Sequence, residues 1–260
     1  MNRATTKVTA WKVWITRLAL LAALLAAWQI AADSSKVTRF FVGTPVRVGE
    51  VIYEWFVSGE IYYHLAITLI ETLLAFFLGA GLALVVGLWL ALNAFWSAVL
   101  DPFIKAINTM PRLILAPIFA VWFGLGIWSK VALGITIVFF IVFFNVCQGI
   151  KEVSPVLLAN VRMLGANRVQ LIRRVYVPSA LSWVFSSLHL SVGMAFVGAV
   201  IGEYLGSAAG VGYLILQAES TFDIDVVLAR IVVLTIFALF LDMLVTKIES
   251  WLLGWRADRG

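Results

Sequence analysis

Few side chains in this sequence have the types and spacing that catalysis or metal binding requires. The two histidines, His64 and His189, lie far apart and lack the short spacing of a metal-binding pair. The single cysteine, Cys147, has no partner in the chain for a disulfide. No Gly-x-x-x-x-Gly-Lys-Ser/Thr loop occurs, so the sequence offers no such cradle for nucleotide phosphates. We therefore predict a protein that is not an enzyme and that holds no metal or cofactor of its own.

Polar side chains inside apolar runs are the remaining candidates for contact with a solute. Asn145, Gln148 and His189 lie well inside such runs, and the alternative for each is a hydrogen bond to a neighbouring helix. Four further residues lie close to the ends of their runs, where long side chains reach the lipid headgroups: Glu71, Arg230, Asp242 and Lys247. For these four we predict that the side chains extend towards the membrane surface.

The composition explains why so little of the chain carries such chemistry. Of 260 residues, 63% are hydrophobic and only 13% are charged, whereas soluble domains are about half apolar and a quarter charged. A spanning helix needs about 20 apolar residues, so six of them occupy roughly half of the chain. No room is left for a separate soluble catalytic domain. In a membrane protein the positions of the basic residues behind the net charge of +5 bear on the orientation of the spans rather than on a nucleic-acid partner.

The apolar runs predict six spans, at residues 13–32, 67–92, 113–127, 131–150, 181–204 and 226–245, the last with a possible extension to Leu253. The third run is short and contains Pro117, so as a span it must begin near Phe103 and tolerate a kink. Between the first two spans, an amphipathic stretch at residues 48–57 predicts a short helix at the outer interface.

The distribution of basic residues decides whether the third run crosses the membrane. If it crosses, one side keeps only five basic residues: Lys36, Arg39, Arg47, Lys130 and Arg230. All others then lie on the opposite side, which the positive-inside rule makes cytoplasmic: Arg3, Lys7, Lys12, Arg17, Lys105, Arg112, Lys151, Arg162, Arg168, Arg173, Arg174, Lys247, Arg256 and Arg259. We predict an all-α polytopic membrane protein with six transmembrane helices and both termini in the cytoplasm.

Two spans carry small residues at helical spacing. The second has Ala75, Gly79, Ala83, Gly87 and Ala91 at intervals of four. The fifth has Ser187, Ser191, Ala195 and Ala199, with Gly198, Gly202, Gly206 and Gly210 on an adjacent face. Small residues let helix backbones approach closely in lipid. We predict that both helices lie inside the bundle, and the alternative is that these faces line a path for a solute.

Residues 151–178 contain more helix-start and helix-end signals than a simple connection between two spans requires. Ser154 before Pro155 predicts a helix start, and Gly165 is placed to end that helix in a left-handed conformation. Asn167 predicts the cap of a second short helix, which Pro178 separates from the fifth span. Two short helices joined by a turn suit docking against another protein, whereas the alternative is an amphipathic pair resting on lipid headgroups.

Several passages resemble one family of membrane proteins. Leu164–Arg168, followed by Arg173–Val175 and Val177–Leu181, is similar to the cytoplasmic signature of binding-protein-dependent ABC importer permeases. Pro111–Leu113 with Ala116–Pro117, Trp122–Gly126 and Gly210–Leu214 resemble the nitrate, sulfonate and taurine branch of that family. The resemblance covers about residues 67–253. It implies a type I importer permease with a MetI-like transmembrane domain.

The resemblance also implies how the chain receives energy. In the family, the signature forms a coupling helix that inserts into a groove of a cytoplasmic ATPase subunit. The residues at or beside that contact are then Arg162, Leu164, Gly165, Ala166, Asn167 and Arg168. This chain departs from the family pattern at Ala159–Val161, where the usual Glu-Ala-Ala is replaced by Ala-Asn-Val, so Arg162 or Arg168 is expected to take a larger part in docking.

The implied assembly contains two permease copies, expected as a homodimer, two ABC ATPase subunits that hold ATP and Mg²⁺, and an extracytoplasmic solute-binding protein. We expect it in a bacterial inner membrane, in contact with lipid, and importing a small solute such as a nitrate-, sulfonate- or taurine-like anion.

The chain divides into an anchor helix and external loop at 1–66, a permease domain at 67–253 and a short cytoplasmic tail at 254–260. The alternative function is an ion-coupled secondary transporter, which is disfavoured because the sequence shows neither an inverted repeat nor buried ionisable residues at the midplane.

Overall fold

The computed structural model describes residues 10–257, and every regular element in that range is helical. The α-helices are α1 (Ala10–Asp33), α2 (Lys36–Val42), α3 (Pro45–Ser58), α4 (Glu60–Ala91), α5 (Ala94–Thr109), α6 (Leu115–Phe123), α7 (Ile127–Lys151), α8 (Pro155–Met163), α9 (Arg168–Leu171), α10 (Val177–Ser186), α11 (Leu188–Leu205), α12 (Val211–Ser220) and α13 (Ile224–Ala257). A 3₁₀ turn at Arg112–Ile114 precedes α6, and a π-helix at Ile172–Tyr176 joins α9 to α10.

Four helices are each long and apolar enough to cross a membrane, namely α1, α4, α7 and α13. Two bent pairs, α5 with α6 and α10 with α11, raise the number of candidate spans in the described chain to six. The prediction of an all-α polytopic fold is therefore confirmed, and a count of six spans is consistent with the helices. The helices extend the predicted runs at most ends, as in α4, which begins at Glu60.

The third span differs from its prediction. Its helical pair begins at Ala94 instead of near Phe103, and its two halves meet at 76° across Met110 and Pro111. The break lies there because proline disfavours the helical conformation of the residue before it, and Met110 is accordingly extended, with ψ of 131°. Pro117, at which we predicted the kink, lies in the first turn of α6, where proline is tolerated.

The fifth span is also broken, and at a different place from the predicted boundary. Helical structure continues from Arg168 through Pro178, which lies in the first turn of α10, so Pro178 does not separate the second cytoplasmic helix from the span. The chain instead bends by 61° at Ser187, between α10 and α11. The prediction was wrong because Pro178 lies just after the π-helix at Ile172–Tyr176, where the shifted hydrogen bonding accommodates a residue without an N–H and the helix continues.

The segment between α1 and α4 is mostly helical. Ser35 caps α2 by accepting from the Thr38 N–H at 3.0 Å, and Thr44 caps α3 by accepting from the Arg47 N–H at 3.3 Å. The predicted amphipathic stretch at 48–57 lies inside α3. These caps satisfy backbone donors where the two helices begin.

The described chain forms two compact units. One comprises the residues through Gly59 together with Ile215–Val233, and the other comprises Glu60–Leu214 together with the residues from Leu234. In the first unit, the Thr44 N–H donates to Asp225 Oδ1 at 2.7 Å, and the Arg230 guanidinium lies over the Trp55 ring at 5.7 Å. Arg230 is therefore half-buried against an aromatic ring rather than simply extended towards headgroups.

The second unit has its core where α4, α7 and α11 meet. Fully buried small and branched side chains fill it, including Ala75, Val138, Val142, Val146 and Ala195. Small residues on α4 and α11 let branched side chains of α7 approach their backbones. Arg3, Lys7 and Arg259, which the prediction of orientation used, lie outside the described residues.

Candidate functional site

The turn between α8 and α9 is locked by backbone hydrogen bonds. The Gly165 N–H donates to Arg162 O at 2.9 Å, and the Ala166 N–H donates to Val161 O at 3.2 Å. Gly165 has φ of +83°, the left-handed conformation in which glycine is favoured. Together these form the Schellman motif that ends helices. The turn is therefore held in one geometry by the sequence itself.

The residue after the turn begins the next helix. Asn167 Oδ1 accepts from the Gln170 N–H at 2.9 Å, and Gln170 Oε1 accepts from the Asn167 N–H at the same distance. This reciprocal pair is a capping box, which satisfies two helix N-terminal donors at once. By contrast, Ser154 precedes α8 but makes no side-chain capping bond, so that part of the predicted helix start is wrong.

The two short helices have an apolar interior and an apolar tip. Val153, Leu171 and Val175 are buried between them, with Val161 and Ala166 packed alongside. At the tip, Leu164 is 87% exposed, and Met163 and Val169 are also exposed. Exposed apolar groups on a rigid turn are typical of a surface that another protein covers.

Charge surrounds this tip. Arg162 and Arg168 are exposed on either side of the turn, and Arg173 and Arg174 are exposed on the π-helix that follows. An apolar centre with a basic rim fits an acidic protein groove, and it also fits anionic headgroups. We define the coupling segment as residues 151–178.

The coupling segment is continuous with a helix that packs on α7. A Cβ built on Gly149 of α7 would lie 2.8 Å from Trp183 Cδ1 and 3.1 Å from Ser179 O, both in α10. The absent side chain at Gly149 therefore lets α10 lie directly on α7. Helical structure is uninterrupted from Arg168 to Ser186, so the turn and this contact belong to one continuous helical segment.

The small residues of α4 face α7. Ala83 is fully buried, and a Cβ on Gly79 would lie 3.0 Å from Val138 Cβ. A Cβ on Gly87 would lie 2.9 Å from Val146 Cγ1. These positions leave no space between the two helices, so this face is a packing surface rather than the wall of a path.

The small residues of α11 and its start lie against α7 in the same way. Ala195 is fully buried, a Cβ on Gly198 would lie 2.9 Å from Gly134 Cα, and a Cβ on Gly202 would lie 2.9 Å from Lys130 Cγ. Ser187 is buried and donates to Val184 O at 3.0 Å. Ser191 Oγ is buried without a hydrogen-bond partner in the described structure.

A buried polar cluster, which sequence reasoning did not single out, links α4 and α11 to the loop before α12. Glu203 is fully buried, and its Oε1 accepts from Thr68 Oγ1 while its Oε2 accepts from the Gly212 N–H, both at 2.7 Å. His64 Nδ1 accepts from the Gly210 N–H at 3.1 Å. Gly210 has φ of +103°, and a Cβ there would collide with the Glu203 carboxylate.

Two further charged residues of the cluster do not lie where the sequence predicted them. Glu71 is only 1% exposed, so it does not extend to headgroups, and its carboxyl group lies beside that of Glu203. Lys130, predicted in an external loop, is also 1% exposed and donates to Leu125 O at 2.5 Å and Gly126 O at 2.9 Å. A signal that pointed to this cluster was the spacing of glycines around Glu203, which favours close backbone approach.

The remaining polar candidates make local contacts. Asn145 donates to Ile141 O at 2.8 Å within α7, and Gln148 donates to Glu152 Oε1 at 3.0 Å. His189 Nε2 lies 2.5 Å from Asp242 Oδ1, which joins α11 to α13 beside a cavity of about 550 Å³. In residues 10–257, no group of three or more His, Cys, Asp or Glu side chains is arranged to hold a metal ion.

Comparison with known proteins assigns most of the chain to one family. Residues 83–253 match the family described as binding-protein-dependent transport system inner membrane component. This chain belongs to that family. The match includes α7, the whole coupling segment and α11, so the permease of this family contains the turn described above as part of its shared domain.

Individual relatives agree with the family assignment. The permease is 34% identical over 243 residues to a Bacillus subtilis permease protein named for aliphatic sulfonates transport, covering 94% of this chain and 88% of that one. It is 28% identical to the taurine transport system permease protein of Escherichia coli, covering 92% and 88% respectively. The MetNI methionine ABC transporter in an inward-facing conformation shares the fold, with a TM-score of 0.60 and 19% identity over 75% of this chain and 95% of that one.

Proposed function

We propose that this permease imports a small organic anion and that its coupling segment, residues 151–178, receives the energy from a separate ATPase subunit. That subunit supplies ATP and Mg²⁺, since this sequence has no Gly-x-x-x-x-Gly-Lys-Ser/Thr loop. The permease forms the translocation path itself, and a solute-binding protein on the extracytoplasmic side of the membrane delivers the solute.

The observation that carries the proposal is the 87% exposure of Leu164 on a turn whose backbone is fixed on both sides. An apolar tip with a fixed backbone moves together with the subunit that it contacts, whereas a flexible loop would change its own conformation instead. Lipid headgroups would accept such a segment too, but they would not require the Schellman motif and capping box that hold Gly165 and Asn167 in register. The segment therefore supports docking into a protein groove.

The proposed arrangement places two copies of the chain side by side, with both termini and the coupling segment in the cytoplasm of a bacterial cell. The basic residues 162, 168, 173 and 174 favour this orientation under the positive-inside rule. ATP binding closes the ATPase pair and moves the coupling segment, and hydrolysis resets it. This is alternating access between two states of different affinity.

The class of solute is proposed from the names of relatives. Two of them carry names for sulfonate and taurine transport, in which the solute has a sulfonate group. Others are named for formylaminopyrimidine and riboflavin transport, so the family also serves larger heterocycles. A sulfonate is the class we favour, because the relatives named for aliphatic sulfonates and taurine match more than nine-tenths of this chain.

The test is to purify the tagged chain in mild detergent from its native membrane. We expect an ABC ATPase subunit to co-purify, with ATP hydrolysis that a loaded solute-binding protein stimulates. Recovery of the chain without any ATPase subunit, together with uptake driven by an ion gradient, would favour the secondary-transporter alternative and overturn the proposal.

A further inference from the structure

Arg112 lies at the break between the two halves of the third span. It is the first residue of the 3₁₀ turn that follows α5, and α5 and α6 meet there at 76°. Its guanidinium carbon lies 4.9 Å from the centre of the Phe140 ring. Phe140 lies near the middle of α7, thirteen residues after Ile127 and eleven before Lys151. Because α7 is a candidate span, Arg112 lies near the middle of the membrane. The sequence predicted Arg112 on the cytoplasmic side.

A cation and a broken helix at this depth cannot face lipid. Hydrocarbon offers no partner for a guanidinium or for the backbone groups that a break leaves open. Pro111, Leu113 and Ile114 around the break are exposed in the single chain. This face must therefore lie against protein or against a water-filled passage.

A cavity of about 320 Å³ opens beside Arg112. Its walls come from α4, α5, α6 and α7, and its lining is apolar except for Arg112 and Thr136. Small-solute sites commonly have this composition, in which apolar walls hold the body of the solute and a few polar groups orient it. A small anion with an alkyl part matches both components.

The guanidinium keeps donors for such a ligand. In the described structure only Nη2 of the guanidinium donates hydrogen bonds, to Asn108 O at 3.2 Å and to Asn108 Oδ1 at 2.5 Å. The N–H groups on Nε and Nη1 remain, and the planar fork of arginine matches the paired oxygens of an oxyanion. Arg112 and Leu115 both line the cavity at the start of α6.

We propose that Arg112 binds the anionic group of the solute in transit, at a site in the middle of the membrane formed by the break between α5 and α6. The ligand is a small oxyanion, a sulfonate or carboxylate, whose apolar part lies against α7. This rests on the proposed function, because it identifies a residue of the same translocation path. Arg112 also binds Asn108 O near the end of α5, which is the role that a purely structural arginine would have.

The experiment uses the permease and its ATPase in liposomes, with loaded solute-binding protein in excess and labelled ethanesulfonate and taurine as probes. Arg112→Gln is expected to lower uptake at least tenfold while binding-protein-stimulated ATP hydrolysis stays within twofold of wild type. Arg112→Lys, which keeps the charge but loses the fork, is expected to recover part of the uptake. The control is Lys105→Gln, since Lys105 is an exposed cation of α5 paired with Asp101 at 2.6 Å, and it is expected to transport normally.

Three results would overturn the inference. Uptake by Arg112→Gln equal to wild type would exclude a contact with the solute. A parallel loss of uptake and ATP hydrolysis without recovery in Arg112→Lys would assign Arg112 a structural role alone. Transport by wild type of neutral solutes only would exclude the anion, while still leaving an ATP-driven permease. If Arg112→Gln fails to assemble, Arg112→Lys carries the test, and uptake per ATP equal to wild type would then overturn the proposal.

Discussion

Thr68 of α4 and Glu203 of α11 are joined at a distance of 2.7 Å, with the threonine hydroxyl donating to the carboxylate. The same hydroxyl accepts from the Val211 N–H at 3.2 Å, and the other oxygen of Glu203 accepts from the Gly212 N–H. Two helices and the start of a third are thus tied together by one buried carboxylate. Such a group is costly to bury unless each of its partners is present.

Removing the threonine hydroxyl tests how much this cluster stabilises the fold. Thr68→Val keeps the shape of the side chain but leaves one oxygen of Glu203 and the Val211 N–H without this partner. We expect a loss of about 1–3 kcal/mol, the typical cost of an unsatisfied buried polar group. The measurement is the thermal midpoint of the purified permease in detergent.

The matched control for that variant is Thr246→Val. Thr246 is exposed and its hydroxyl donates to Asp242 O one turn earlier in α13. Its removal is expected to leave the midpoint within a degree or two of wild type. Equal midpoints for both variants would show that the Glu203 cluster adds nothing to stability.

Close packing of α11 on α7 gives a second prediction. Gly198→Ala places a Cβ 2.9 Å from Gly134 Cα, a backbone atom that cannot move without shifting α7. We expect about 1–3 kcal/mol of destabilisation from overpacking. Gly193→Ala, in the same helix but with open space around its Cβ, is expected to express and melt like wild type. Similar midpoints in a thermal melt of the two variants would contradict the helix packing described.

The turn of the coupling segment gives a third prediction. Proline at position 165 removes the N–H that bonds Arg162 O and excludes a φ of +83°. Gly165→Pro is therefore expected to insert normally but to lose the stimulation of ATP hydrolysis by loaded solute-binding protein. Gly165→Asn is the control, because asparagine tolerates the left-handed conformation at a helix end. Full stimulation in Gly165→Pro would remove the turn from the coupling pathway.

The sequence predicted the existence of the spans better than their interruptions. Long apolar runs identify helices such as α4 and α7 because every backbone group in lipid must be satisfied within its own segment. The position of a break depends on the backbone around each proline: Pro111 interrupts a span, whereas Pro117 lies in the first turn of α6 and Pro178 lies just after a π-helix. Which proline interrupts a span depends on the folded backbone around it, and the amino-acid composition of the run does not predict it.

The buried charges were missed for a related reason. A glutamate or lysine near the end of an apolar run is compatible with both the membrane surface and the interior. The Thr68 hydroxyl and the Gly212 N–H donate to the buried Glu203, and the carbonyls of Leu125 and Gly126 accept from the buried Lys130. Thr68 lies 135 residues from Glu203 in the sequence, so only folding brings the two together, whereas the turn at Gly165 is local in sequence and was predictable from it.

The central claim is that the tip at Leu164 contacts an ATPase subunit. The most direct measurement is photo-crosslinking from benzoylphenylalanine placed at position 164 in membranes that contain the complete transporter, with position 37 in α2 as an equally apolar exposed control. The account predicts a cross-link from position 164 to the ATPase subunit and none from position 37. Cross-links from position 164 to lipid alone, in membranes where the complex transports solute, would contradict it.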